Sequence, residues 1–135
     1  MSQENIEALQ RAVEANNRRD YEAFVAEFDP DVEWHGIFGV MFGGEATLVR
    51  GRKGLLGYVR DLDEAFSLRD VQISEFRDLE DRIVVLGHVR GRGKESGIEF
   101  DSPYAGIAEF KNGKCVSYKD YFDHSQALEA AGLSE

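Results

Sequence analysis

The sequence predicts an α+β fold built on a mostly antiparallel sheet. Three observations lead there. Apolar residues recur at helical spacing up to about residue 66, strand-like alternation runs from about 70 to 122, and the connections between segments are short. With 135 residues the chain can build one hydrophobic core but not two, so residues 1–135 are read as a single domain.

Ser2 can cap a first helix in which Ile6, Leu9 and Val13 share a face. The run "NNRRD" breaks that pattern, and Asp20 can cap a second helix, "YEAFVAEF", with a stripe of Tyr21, Phe24, Val25 and Phe28. Pro30 ends it, because a proline disfavours helix at the residue before it. A short strand, "VEWHG", follows. Residues 36–51, "GIFGVMFGGEATLVRG", mix five glycines with Ile37, Phe38, Val40, Met41, Phe42 and Leu48. A solvated loop would be polar, so this one is expected to fold over something apolar and form the mouth of a pocket. A third helix is expected over 52–66 with Leu55, Leu56, Val59, Leu62 and Phe66 inward. Strands follow at 70–78, 82–91, 97–110 and 114–122, with turns at "LEDR" and "KNGK"; Asn112-Gly113 is a strong hairpin signal. Gly132 stops a last helix, "HSQALEAA". Helices cover one face of such a sheet, and if the sheet curls, a pocket forms between the two layers.

Composition excludes several functions. A net charge of −10 repels nucleic acid and anionic membranes, so neither is an expected partner. The one basic cluster, Arg90, Arg92 and Lys94, sits in a glycine-rich hairpin tip. No apolar run approaches the ~20 residues of a membrane span. The start, "MSQENIEALQ", lacks a basic region followed by an apolar core, so no secretory signal is expected there. Cys115 is the one cysteine, no intrachain disulfide can form, and a cytoplasmic location fits. His35, His88 and His124 lack metal-ligand spacing, so the expected chemistry uses neither metal nor cofactor.

The segment "VSYKDYFD" carries the main chemical signal. On a strand Val116, Tyr118, Asp120 and Phe122 share one face, and Ser117, Lys119, Tyr121 and Asp123 share the other. Asp120 is thus a carboxylate on the apolar face. An isolated buried carboxylate is costly unless paired or neutralised, and burial raises its pKa into the range useful for proton transfer. Asp120 is the candidate acid/base; the structural alternative is a salt bridge to Arg90 or a bond from a backbone N–H. Alternation puts Val32 and Trp34 on one face of "VEWHG", and Glu33 and His35 on the other. Trp34, His35, Tyr58, Tyr104, Tyr118 and Phe122 are the candidate substrate-binding residues, although packing alone accounts for each. The strand at 82–91 is apolar on both faces, Ile83, Val85 and Val89 against Val84 and Leu86. Helices cover only one side, so a homodimer through the sheet is expected.

The order of "FDPDVEWHG", the glycine-rich loop, "RGRKGLLGYV", four strands and "GKCVSYKDYFD" resembles the SnoaL-like branch of the nuclear transport factor 2-like superfamily, over nearly the whole chain. The resemblance implies a cone-shaped barrel around a deep pocket, a curved sheet covered by N-terminal helices, often dimeric through the sheet. It implies no single activity, because one scaffold hosts isomerases, cyclases, hydrolases and binders. Where ketosteroid isomerases keep an oxyanion tyrosine, a catalytic base and a protonated aspartate, this sequence has Ala12, Trp34 and Gly106, so steroid isomerisation by that route is not expected. Asp120 falls where limonene-epoxide hydrolases place a catalytic aspartate, but "LGHVRGRG" supplies Arg90 with no acid two residues on. SnoaL-type polyketide cyclases also carry an acid/base aspartate at a place similar to Asp120. The expected function is a cofactor-independent enzyme acting on a small hydrophobic carbonyl or polyketide-like molecule; the alternative is a non-catalytic module that binds an apolar ligand or a partner protein.

Overall fold

The computed structural model describes residues 2–38 and 45–133. Helix α1 (Ser2–Asn17) buries Leu9, Ala12 and Ala15. Asn17 then fastens its end to the sheet: its side chain bonds both the N–H and the C=O of Val71, at 3.0 and 2.7 Å. Helix α2 (Tyr21–Ala26) is capped by Asp20, whose carboxylate accepts from the Ala23 N–H at 3.2 Å. It is shorter than expected, because Phe28 already opens strand β1 (Phe28–Gly36). Pro30 is tolerated inside β1 because the ladder slips between Phe28 and Glu33, where no N–H is required of it.

Residues 47–50, expected within the loop, form the edge strand β2 (Thr47–Arg50), paired antiparallel with β1. Helix α3 (Gly51–Ala65) buries Leu55, Tyr58 and Val59. Phe66 is not its last residue; it begins β3 (Phe66–Asp78), which starts four residues earlier than the alternation suggested. Strands β4 (Arg82–Gly93), β5 (Glu99–Lys111) and β6 (Lys114–Tyr121) follow as antiparallel neighbours. Asn112 and Gly113 both take positive φ, 53° and 80°, as the tight hairpin requires.

The order β2-β1-β6-β5-β4-β3 leaves β2 and β3 as edges. The sheet is curved and unclosed, and the expected α+β architecture of a curved, mostly antiparallel sheet covered by N-terminal helices is the one that forms. The first three helices lie on its inner face. On the other face helix α4 (His124–Ala130) packs Ala127 and Leu128, with Ala131, against Val84 and Leu86. The second apolar face of β4 thus finds cover within the chain, so those residues do not by themselves demand a second copy. One parity prediction shifts locally: a bulge between Glu109 and Phe110 lets Cys115, not Val116, join the core. Burial pushes the Cys115 thiol up to about 12, so it is an inert core group. The expected pocket mouth at 36–51 falls partly on 39–44, outside the described residues. Among the described residues no helix is long and apolar enough to cross a membrane.

Candidate active site

The parity of β6 aims Tyr118 and Asp120 inward, opposite Ala108 and Gly106 of β5. Gly106 is small for a visible reason: a Cβ there would collide with the Tyr118 hydroxyl. Gly36 plays the same part for the Tyr58 hydroxyl. Two glycines thus open the floor on which two tyrosine hydroxyls lie.

Asp120 is 1% exposed. Its Oδ1 accepts from the Tyr104 hydroxyl at 2.6 Å, and the Tyr104 and Tyr118 hydroxyls lie 2.7 Å apart. Tyr104 has one proton. When it is given to Asp120, Tyr118 must donate to Tyr104, so the chain runs Tyr118 to Tyr104 to Asp120. Burial is the dominant influence on the carboxyl and pushes its pKa up to about 7; the Tyr104 bond, the Ile37 backbone, the Trp34 indole and the charge of Arg69 pull it partway back. Burial also holds Tyr58, Tyr104 and Tyr118 above the ordinary phenol range, so all three stay neutral. Asp120 Oδ2, Trp34 Nε1 and the Tyr58 hydroxyl are buried polar atoms that close no hydrogen bond of good geometry. Such atoms are uncommon in folded proteins, and here one is an oxygen of the carboxyl and the other two are donors near it.

An aromatic frame holds this group still. The Trp34 indole stacks on Tyr118 with centroids 4.3 Å apart and planes 12° off parallel. Phe24 and Phe28 meet the indole edge-on at 5.8 and 5.6 Å. Beside the frame lies a cavity of about 40 Å³, between α1, α3 and the inner face of the sheet. One water takes ~10–15 Å³ by this measure, so the space admits a few waters and a larger ligand requires side chains to move.

Trp34, Tyr58, Tyr104 and Tyr118, all candidates from the sequence, line this cavity. Asp120 is not among the lining residues; the Tyr104 and Tyr118 hydroxyls stand between it and the cavity. Phe122 packs on Phe38 at 5.2 Å, off the cavity wall. His35 faces away, 4.0 Å from Glu33 on the half-exposed side of β1. Arg90 is exposed on the outer face, paired in register with Asp101, and so is not the partner of Asp120. The arginine that does reach the interior is Arg69, 9% exposed on the cavity wall beside Asn16. Sequence reading missed both. Arg69 was legible in principle, since stepping back by two from Val71 reaches it, had the strand been extended toward Phe66. Among the described residues no cluster of three or more His, Cys, Asp or Glu could hold a metal ion.

Residues 9–118 match the family pattern of the SnoaL-like domain. The chain belongs to this family. Among solved structures it is similar to a nuclear transport factor 2-like protein of unknown function from Burkholderia pseudomallei K96243, at 25% identity, covering 93% of this chain and 95% of that one, with a TM-score of 0.80. It is also similar to TerC, co-crystallised with polyporic acid, at 24% identity over 93% and 96% of the two chains, TM-score 0.78. A protein assigned as a SnoaL-like polyketide cyclase, from Jannaschia sp. CCS1, shares 16% identity over 97% of this chain and 90% of its own, TM-score 0.76. No curated protein matches the chain significantly. In this SnoaL-like protein the inner tyrosines and Asp120 lie on β5 and β6, and the pattern match ends at Tyr118, two residues short of the acid.

Proposed function

We propose that this SnoaL-like protein is a cofactor-independent acid/base enzyme of cyclase or isomerase type, acting on a small hydrophobic carbonyl or polyketide-like substrate. One observation carries the reading: a carboxyl sealed in an apolar core, with its pKa near 7, is wired to a cavity by two hydroxyls. A general acid/base works best when its pKa is near the operating pH. With Asp120 ionised, the chain points inward and Tyr118 offers the cavity a lone pair. With Asp120 protonated, the chain reverses: Asp120 donates to Tyr104, Tyr104 to Tyr118, and Tyr118 offers its proton to a ligand carbonyl oxygen. One proton gained or lost at Asp120 therefore becomes one proton taken from or given to the ligand. Trp34 Nε1 and the Tyr58 hydroxyl, which close no hydrogen bond of good geometry, are further donors beside the carboxyl. A lone acid would suit a binding module; an acid with donors converging on it suits catalysis. The polyketide cyclase assignment of the Jannaschia protein supports the substrate class.

Deuterium exchange tests this without knowledge of the product. In D2O, a panel of β-diketones and β-keto esters should exchange their acidic C–H faster with the protein than with buffer, with a pH midpoint near 7, and Asp120→Asn should abolish the gain. No exchange above buffer across the panel would sink the reading in favour of the binding module. Within the same proposal the protein works in the cytoplasm as a homodimer through the sheet. A monomer mass by light scattering at micromolar concentration would refute the dimer.

A further inference from the structure

Arg69 is the residue of the cavity wall that the acid/base chemistry leaves unused. Its guanidinium is buried, yet among the described residues no carboxylate lies within 4.0 Å of it, whereas exposed or half-exposed arginines such as Arg11, Arg19 and Arg50 each have one. Its Nη2 donates to Asn16 Oδ1 at 3.3 Å, and its Nε, fully buried, closes no bond. The Tyr21 hydroxyl lies against the guanidinium and partly offsets the cost of its burial, but Tyr21 is neutral and donates its proton to Asp63 at 2.7 Å, and Asp63 pairs with Arg19, not Arg69. Asp120 lies close enough to feel the charge of Arg69 but does not bond it. A charge taken out of water without a partner is costly, and a structural arginine in such a place is ordinarily paired. Arginine also has a planar fork suited to the two oxygens of a carboxylate.

We infer that Arg69, steadied by Asn16, anchors an anionic oxygen group, a carboxylate or enolate, on a ligand whose apolar body lies in the cavity. This rests on the reading of that cavity as the ligand site and narrows the substrate class to small apolar acids and acidic enols. The walls agree. Leu9, Val13, Phe24, Val59 and Val71 offer only apolar surface, so the guanidinium and the tyrosine cluster are the polar landmarks that would set a ligand's direction. Arg69 would fix the anionic group and leave the rest of the ligand facing Tyr104 and Tyr118. Burial lowers the pKa of Arg69 from its usual value, which an anionic partner would reverse.

The test compares benzoate with its neutral isostere benzamide, titrated into the intact protein and followed by NMR at the Asn16 side-chain amide. Benzoate should bind about tenfold more tightly, the scale of one charge-assisted contact. Arg69→Met should erase that preference while leaving benzamide affinity as it was. Arg69→Lys, which keeps the charge but loses the fork, should give an intermediate ratio. Equal affinities in the wild type, no response at Asn16, or a preference that survives Arg69→Met would overturn the inference. If Arg69→Met does not fold, an unchanged ratio in Arg69→Lys overturns it. Turnover does not enter the readout. A protein that prefers benzoate but exchanges no carbon acid refutes the acid/base reading alone, and one that exchanges carbon acids with no preference refutes the Arg69 assignment alone.

Discussion

The two faces of the sheet carry similar chemistry in opposite surroundings. On the inner face the Tyr104 hydroxyl meets Asp120 at 2.6 Å; on the outer face His88 Nδ1 meets Asp101 at 3.2 Å. Both are contacts of a titratable ring with a carboxylate, made by β5 with a neighbouring strand. The inner pair is sealed from water, whereas both outer side chains are 62% exposed. Water screens and competes for the outer contact, so it contributes little and constrains little. Without water the inner carboxyl has only protein groups to stabilise its charge, and its proton affinity rises. Position relative to water, more than residue type, separates the two contacts.

The largest effect should come from Asp120→Asn, which keeps the shape and removes the ionisable group. Turnover should fall by ~10²-fold or more, the scale of a lost general acid/base. Stability should move the other way, and its pH dependence has a definite sign. The carboxyl titrates at about 7 in the folded state against 3.8 ordinarily. Between those values the folded state holds a proton that the unfolded state has lost, so this group makes stability fall as pH rises from about 4 to 7, then level off. At ~1.4 kcal/mol per pKa unit the full effect is roughly 4 kcal/mol. Melting curves should show the mutant equal to wild type at pH 4 and several degrees more stable at pH 8. A mutant that melts far lower at both pH values would mean that the carboxyl is structural, and the contrast between the faces would collapse.

Next in size is Tyr104→Phe. It removes the one well-formed bond to Asp120 and the middle of the relay, at a cost of roughly 1.5–3 kcal/mol, the range for hydrogen bonds to charged groups. Since that bond pulls the carboxyl's pKa down, its loss should push the midpoint of the pH–rate profile upward. An unchanged midpoint would cut Tyr104 out of the relay. Gly106→Ala probes the floor beneath Tyr118. Its Cβ collides with the hydroxyl, and overpacking of this kind costs about 1–3 kcal/mol by denaturant titration. A neutral result would mean that Tyr118 has room to move and that the relay is not held in place by packing.

The smallest effect is the control. His88→Ala on the outer face should change stability by no more than about 0.5 kcal/mol and leave carbon-acid exchange as it was. A loss of exchange there would join the two faces functionally and end the comparison as drawn.

The sequence by itself determined the rhythm of this protein. Alternation in "VSYKDYFD" was enough to put Asp120 with Tyr118 on the buried face, Asn112-Gly113 was enough for the hairpin, and Asp20 for the second helix, because side-chain parity, positive φ and capping are local properties. Trp34 and Tyr104 were named by the same parity. Only the tertiary structure decided what those residues meet. That the Tyr104 and Tyr118 hydroxyls bond in series to Asp120 depends on the register of β5 against β6, and that register carries a bulge no local signal marks. β2 became a strand because β1 offered it an edge, not through its own four residues. Arg90, one of the structural alternatives for Asp120, lies on the outer face by strand parity, while Arg69, hidden in "SLRD", arrived at the cavity because β3 begins at Phe66. The physical reason is common to all of them. A chain writes its local geometry residue by residue, but burial and charge pairing belong to groups far apart in sequence, and they exist only once the sheet has closed over its helices.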